Sequence, residues 1–148
     1  MKKPNILITN DDGIFSQGIF TLWQAVKNIS NTIIVAPKSQ QSATSHALTL
    51  SKPLKISDIK RSNGFHGWGV NGTPTDCVKI GLRTIVKSKP DLLISGINQG
   101  SNLGNNIIYS GTVSAASEGV LNDIPSIALS LDSFEKSEWE CAKKISLE

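Results

Sequence analysis

Short apolar runs alternate with amphipathic stretches along most of this chain. Ile6, Leu7 and Ile8 form a first run that stops abruptly at Asn10-Asp11-Asp12-Gly13, the pattern of a buried strand feeding a turn. In "SQGIFTLWQAVKNIS", Ile19, Leu22, Trp23, Val26 and Ile29 recur at helical spacing, with polar Gln24 and Lys27 between them. Thr32–Pro37 is a second β-branched run, closed by proline. This strand–helix–strand order predicts parallel strands joined by a right-handed crossover.

The middle of the chain reads differently. "ALTLSKPLKISDI" and "GFHGWGV" are short strand-like pieces interrupted by Pro53 and glycines, which predicts a small hairpin beside the main sheet. Helical signals return in "TPTDCVKIGLRTIVK": Thr73 suits an N-cap, Pro74 the first helical position and Asp76 the first turn, with Val78, Leu82, Ile85 and Val86 as the inner face. "PDLLISGIN" predicts a third buried strand, "TVSAASEGVL" a short helix and "IPSIALSL" a fourth buried strand. The closing segment "SFEKSEWECAKKISLE" carries Trp139, Ala142 and Ile145 on one helical side. The fold class expected is α/β, a Rossmann-like three-layer arrangement with a mostly parallel sheet and a small β-hairpin excursion, in one domain over residues 1–148.

Composition excludes more than it selects. At 148 residues with 39% apolar and 18% charged side chains, the chain is ordinary for a globular domain. Aromatic residues are 5%, too few for a single-strand stacking platform. Residues 1–75 hold 8 Lys/Arg against 3 Asp/Glu, and residues 76–148 hold 7 against 9. The mildly basic first half suits an anionic small molecule, while no basic run is long enough to suggest a nucleic acid duplex. Cys77 and Cys141 are far apart and lack metal-ligand spacing, as expected of two reduced thiols in a cytoplasmic protein. The apolar run after the basic opening is too short for a signal peptide, and no stretch reaches membrane-spanning length.

Ligands of open α/β sheets gather beyond the carboxyl ends of the strands. There the sequence places Asn10-Asp11-Asp12-Gly13, then "KSQQSATS" after the second strand, and Ser95-Gly96-Ile97-Asn98 at the end of the third. Two adjacent carboxylates about 4 Å apart repel by ~4 kcal/mol at a protein-like dielectric, and a hard divalent cation turns that repulsion into attraction. Asn98 and one of the Ser/Thr residues at 39–45 could complete an oxygen shell; the sequence alone leaves Ser39, Ser42 and Ser45 open. A bare Asp-Asp-Gly is also an ordinary turn. Gly100, Gly104 and Gly111 allow close backbone approach, and Ser110-Gly111-Thr112 would open a helix whose free amides suit phosphate, although Ser110 or Thr112 could equally be a plain N-cap. Neither a dinucleotide fingerprint nor a P-loop occurs. The two elements together predict metal-assisted phosphate-ester hydrolysis.

"NDDG", "VAP" with its serine-rich loop and "ALTL", "GTPTDCV", "PDLLISGIN" with "GSNLG", and "YSGTVSAASEG" resemble, in order, the motifs of the SurE family of stationary-phase survival nucleotidases. The resemblance runs from Asn5 to about Leu131. It implies a phosphomonoesterase of the 5'/3'-nucleotidase, acid-phosphatase-like class, acting on nucleoside 5′- and 3′-monophosphates with one Mg²⁺ or Mn²⁺. By motif position the metal ligands fall on Asp11, Asp12, Ser42 and Asn98, with Asp11, Asp12 and Asn98 as catalytic residues. Asn102, Ser110, Gly111 and Thr112 match positions that line the substrate phosphate. The family also implies a homodimer or homotetramer, and its members continue beyond this chain, which therefore looks C-terminally truncated. An alternative is a truncated, non-catalytic metal- and nucleotide-binding domain. An aspartyl-phosphate phosphatase is disfavoured because its carboxylates would be spaced two apart. Phe15-Ser16-Gln17-Gly18 departs from the His/Ala-Pro-Gly stretch common in the family at that point. His46 and His66 fall outside the matched metal positions, Trp23 and Trp139 read as core, Trp68 as half-exposed near the hairpin, and Gly69, Gly72 and Thr73 as turn and capping residues.

Overall fold

A computed structural model describes residues 2–41, 44–133 and 138–147. Among the described residues six strands form one sheet in the order β3-β4-β2-β1-β5-β6, where β1 is Asn5–Thr9, β2 Asn31–Pro37, β3 Ile56–Lys60, β4 His66–Val70, β5 Leu92–Gln99 and β6 Ser126–Leu131. Every neighbouring pair is parallel except β3 with β4. The expected hairpin is therefore the edge of the main sheet, because β4 pairs with β2 from Val35↔Trp68 to Pro37↔Val70. Residues 47–55 are loop rather than strand. Their backbone bonds to the start of a helix instead: Thr49 N–H donates to Asp76 Oδ1 at 3.1 Å, and the Ala47 carbonyl accepts from Thr73 Oγ1 at 2.8 Å.

Helices cover both faces. On one, α1 (Gln17–Val26) packs Ile19, Leu22, Trp23 and Val26 against Ile6, Ile8, Ile34 and Ile94, with Phe20, Trp23 and Phe65 in mutual ring contact. Ser16 caps this helix by accepting from Ile19 N–H. The helix ends at Val26, so Ile29 lies beyond it and is exposed, contrary to the helical spacing. On the other face, Leu7, Val35, Val70 and Leu93 meet Cys77 and Val78 of α2 (Pro74–Ile80) and Ala115 of α3 (Gly111–Leu121). The α2 start follows the sequence signals: Thr73 Oγ1 accepts from Asp76 N–H and Asp76 Oδ2 accepts from Thr73 N–H, a reciprocal capping box with Pro74 in the first turn. A π-helical turn over Gly81–Ile85 follows, leaving Leu82, Ile85 and Val86 only half-buried.

Two further expectations are corrected. β6 is the outer strand, and Ile127 and Ala128 are exposed, so it is not buried on both faces. Gly69 sits inside β4 rather than in a turn. In α4 (Trp139–Ile145) Ala142 is buried and Trp139 packs against the first core, while Ile145 is exposed. Trp23 is core and Trp68 half-buried, both as expected. Cys77 is a buried free thiol and Cys141 an exposed one. Among the described residues no helix is long and apolar enough to cross a membrane.

Candidate active site

β1 and β5 are adjacent and parallel, so their carboxyl ends deliver Asp11, Asp12 and Asn98 to one rim. Asn10 makes the turn that presents the aspartates. Fully buried, it accepts from Gly13 N–H at 3.2 Å, and its Nδ2 donates to the Gly13 carbonyl at 3.1 Å and to Ser16 Oγ at 2.8 Å. Gly13 has φ +97°, a left-handed conformation that glycine adopts without a Cβ clash. The turn is tied to the end of β2 by Ile14 N–H to the Pro37 carbonyl, at 2.8 Å. This brace holds the two carboxylates side by side at the rim.

Each aspartate has its own partners. Asp11 Oδ1 accepts from Thr112 Oγ1 at 2.7 Å, and the Asp11 carbonyl accepts from Gln41 N–H at 2.8 Å. Asp12 Oδ2 accepts from Gln99 N–H at 3.1 Å and Oδ1 from Gln40 Nε2 at 3.4 Å. Burial pushes the Asp11 carboxyl above its ordinary range, against the Thr112 hydrogen bond and reinforced by the charge of Asp12. Burial also raises Asp12, against the bond from Gln99. Asn98 Nδ2 donates to the Gly100 carbonyl at 2.7 Å, which orients the amide and leaves Oδ1 as the atom that could coordinate a cation.

These groups open into a cleft of about 320 Å³, lined by Asp11, Asp12, Asn98, Asn102, Ser110 and Gly111 together with Gln40, Gln41, Gln99, Ser101, Asn106 and Tyr109. Its size falls at the small end of small-molecule sites, which span roughly 300–1,000 Å³. Ser110 is the N-cap of α3, accepting from Val113 N–H, and also faces the cleft, so both readings of this residue hold at once. Gly111 must lack a side chain here: a Cβ on it would stand 2.9 Å from Asp11 Cβ and 3.1 Å from both Asp11 Oδ2 and Thr44 Oγ1. Thr112 sits behind Asp11, with its hydroxyl committed to that carboxylate. Asn102 donates from Nδ2 to Ser130 Oγ at 2.7 Å. Ser42 lies outside the described residues. His46 and His66 are away from the cleft, bonded to Glu118 and Asp58 respectively.

The donor set suits a hard divalent cation. Burial disfavours the charge of both carboxylates, that of Asp11 is further opposed by Asp12, one amide oxygen lies with them, and no basic side chain among the described residues lines the cleft to compensate the pair; a buried, unpartnered Thr44 hydroxyl stands close by at Gly111. Asn10, Gln40 and Gln41 lie in segments that the sequence placed at this rim but gave no role of their own, and Gln99, Ser101, Asn106 and Tyr109 were not singled out. For Asn10, Gln40, Gln41 and Gln99 the one available signal was adjacency to a strand end.

Comparison with known proteins follows the same lines. The family profile of "Survival protein SurE" matches residues 6–148. A "5'-nucleotidase SurE" of Chlorobium phaeobacteroides is 49% identical over 144 residues, 97% of this chain and 56% of that protein. One from Thermosipho melanesiensis is also 49% identical, with the same coverage of 97% and 56%. The crystal structure of the SurE protein from Aquifex aeolicus superposes with a TM-score of 0.86 at 45% identity, over 97% of this chain and 57% of that one. The chain thus spans about half the length of the curated relatives it matches. With the family profile, the relatives and the superposition all concurring, the chain belongs to the SurE family.

Proposed function

We propose that this chain carries the site of a metal-dependent phosphomonoesterase that hydrolyses nucleoside 5′- and 3′-monophosphates to nucleoside and phosphate. The observation that carries the reading is that buried Asp11 and half-buried Asp12 line one cleft with Asn98, with the start of α3 packed directly against Asp11. The matched relatives bear the name 5'-nucleotidase, which fits that chemistry. Asp11, Asp12 and Asn98, with Ser42 from the loop after β2, would hold one Mg²⁺ or Mn²⁺. When bound, such a cation supplies Lewis-acid polarisation of a phosphoryl oxygen and a water of lowered pKa.

The chain's own residues do the rest. Thr112 fixes one Asp11 oxygen and directs the other toward the cleft. Gly111 and Ser110 let a phosphate approach the first amides of α3, where the helix dipole favours negative charge. Asp12, held by Gln99 N–H, is placed to accept a proton from an attacking water, and Asn102 borders the phosphate position. Tyr109 and Asn106 line the outer cleft, the region left for the nucleoside. The protein is placed in the cytoplasm on this reading and, like its family, is assembled from two or four copies.

The test is release of inorganic phosphate from 5′- and 3′-nucleoside monophosphates with Mg²⁺, with Mn²⁺ and with a chelator. Chelator-sensitive release is expected; release unaffected by the chelator would refute the cation's role. A pH dependence follows from the raised carboxyls. Because Asp11 and Asp12 titrate above their ordinary range in the folded chain, what they contribute to stability is greatest in acid and is lost as pH rises through those values. Cation binding needs both deprotonated. The rise in Tm caused by Mn²⁺ is therefore expected to be largest at neutral pH and to fade as pH falls through the carboxylate range, checked by thermal melts across a pH series.

A further inference from the structure

Glu118 is a buried carboxylate that the cleft does not use: it is 4% exposed, on the third turn of α3, and absent from the cleft lining. His46 Nε2 lies 2.9 Å from its Oε2, while Lys79 Nζ and Asn122 Nδ2 donate to Oε1 at 3.1 Å each. Burial pushes this carboxyl upward, but the bonds from His46, Lys79 and Asn122 and the charge of Lys79 outweigh it and hold it below the ordinary range, so it is ionised at neutral pH. Lys79 and Asn122 belong to α2 and the end of α3, and are in place without it. His46 is different, because it comes from the long loop between β2 and β3.

That loop bends at Ser45, whose φ of +48° is a left-handed conformation that a side chain disfavours. Such a conformation persists only where neighbours hold both sides of it. On one side Ser45 N–H donates to the Tyr109 carbonyl at 3.3 Å, and on the other His46 reaches Glu118. The residue before the bend is Thr44. Its hydroxyl is buried, has no partner, and stands 3.1 Å from the point where a Gly111 Cβ would lie, the same distance from that point as Asp11 Oδ2.

We propose that Glu118 is a positioning residue for the cation end of the cleft: through His46 it pins the loop after β2 so that Thr44 stands over Asp11 and Gly111. The inference rests on the reading of Asp11 and Asp12 as cation ligands. Side chains that orient ligands without touching the metal change its affinity by roughly 10–100-fold when removed.

The test is Mn²⁺ binding to the whole chain, read from the loss of the free-ion electron paramagnetic resonance signal, beside thermal melts without metal. His46→Ala is expected to raise the Mn²⁺ Kd about tenfold. His46→Gln, whose amide nitrogen can take the place of Nε2, is expected to restore most of it. Lys79→Met removes another partner of Glu118 while leaving the His46 bond in place; it is expected to lower the metal-free Tm while leaving the Kd near that of the wild type. Wild-type affinity in His46→Ala, or equal weakening in His46→Ala and Lys79→Met, would overturn the tether. Failure of the wild-type chain to bind Mn²⁺ would instead overturn the cation reading, and the tether's role with it.

Discussion

Asp11→Asn is expected to abolish cation-dependent phosphate release, by on the order of 10³-fold, while raising the melting temperature of the metal-free chain. The loss follows from removing one of the two carboxylates that, on the proposed reading, hold a Lewis acid worth several kcal/mol in the transition state. The gain follows from the same burial that makes the site useful. Asp11 is 9% exposed, its carboxyl is pushed up by that burial, and the Asp12 charge adds to the penalty. Asparagine keeps an oxygen to accept from Thr112 Oγ1 and carries no charge, so the folded state is relieved of a cost it bears for function. A gain of about 1 kcal/mol, on the order of 3 °C, is typical of such relief. Phosphate release with saturating Mn²⁺ and a metal-free thermal melt check the two halves. Near-normal turnover would remove Asp11 from the chemistry, and a fall in Tm would show that its charge is already compensated.

Gly111→Val is expected to cost about 10²-fold in kcat/KM with the helix intact. The backbone at this position is that of an ordinary first helical residue, so valine is not excluded by conformation. It is excluded by space: the first added carbon would stand 2.9 Å from Asp11 Cβ, with Asp11 Oδ2 and Thr44 Oγ1 both at 3.1 Å. Asp11 is also bonded to the neighbouring Thr112, so it must give up that bond and move from its place in the cleft or tilt the start of α3. A displacement near 1 Å at a reacting centre costs about that factor. Steady-state kinetics with a circular dichroism spectrum check it; unchanged kinetics would mean that the wall of the cleft yields elsewhere.

The elements that could be read from the sequence are those whose signals are local. Thr73-Pro74-Thr75-Asp76 contains its own capping box, and α2 starts where those residues say. Ile6-Leu7-Ile8 and Leu92-Leu93-Ile94 are apolar on both faces and lie at the centre of the sheet. Ser126–Leu131 has much the same apolar content yet among the described residues pairs on one side only, and burial depends on what lies alongside rather than on the strand's own letters. Ile29 fitted a helical repeat that the chain leaves after Val26. At the site, Asp11, Asp12 and Asn98 were legible because strand ends in a parallel sheet share one rim. Asn10 was placed at that rim, but its part was not legible: it braces the turn from within, through three hydrogen bonds that only the folded loop creates. Tyr109 and Asn106 reach the cleft from an irregular segment before α3, where no spacing rule applies.

The central claim is that one divalent cation sits between the two aspartates and Asn98, facing the start of α3. Anomalous diffraction at the manganese edge, from crystals of the chain soaked with Mn²⁺, tests it most directly. The account predicts a single strong peak about 2.1–2.3 Å from oxygens of Asp11, Asp12 and Asn98. A chain that binds Mn²⁺ only elsewhere, with the aspartate pair vacant at saturating metal, would contradict it.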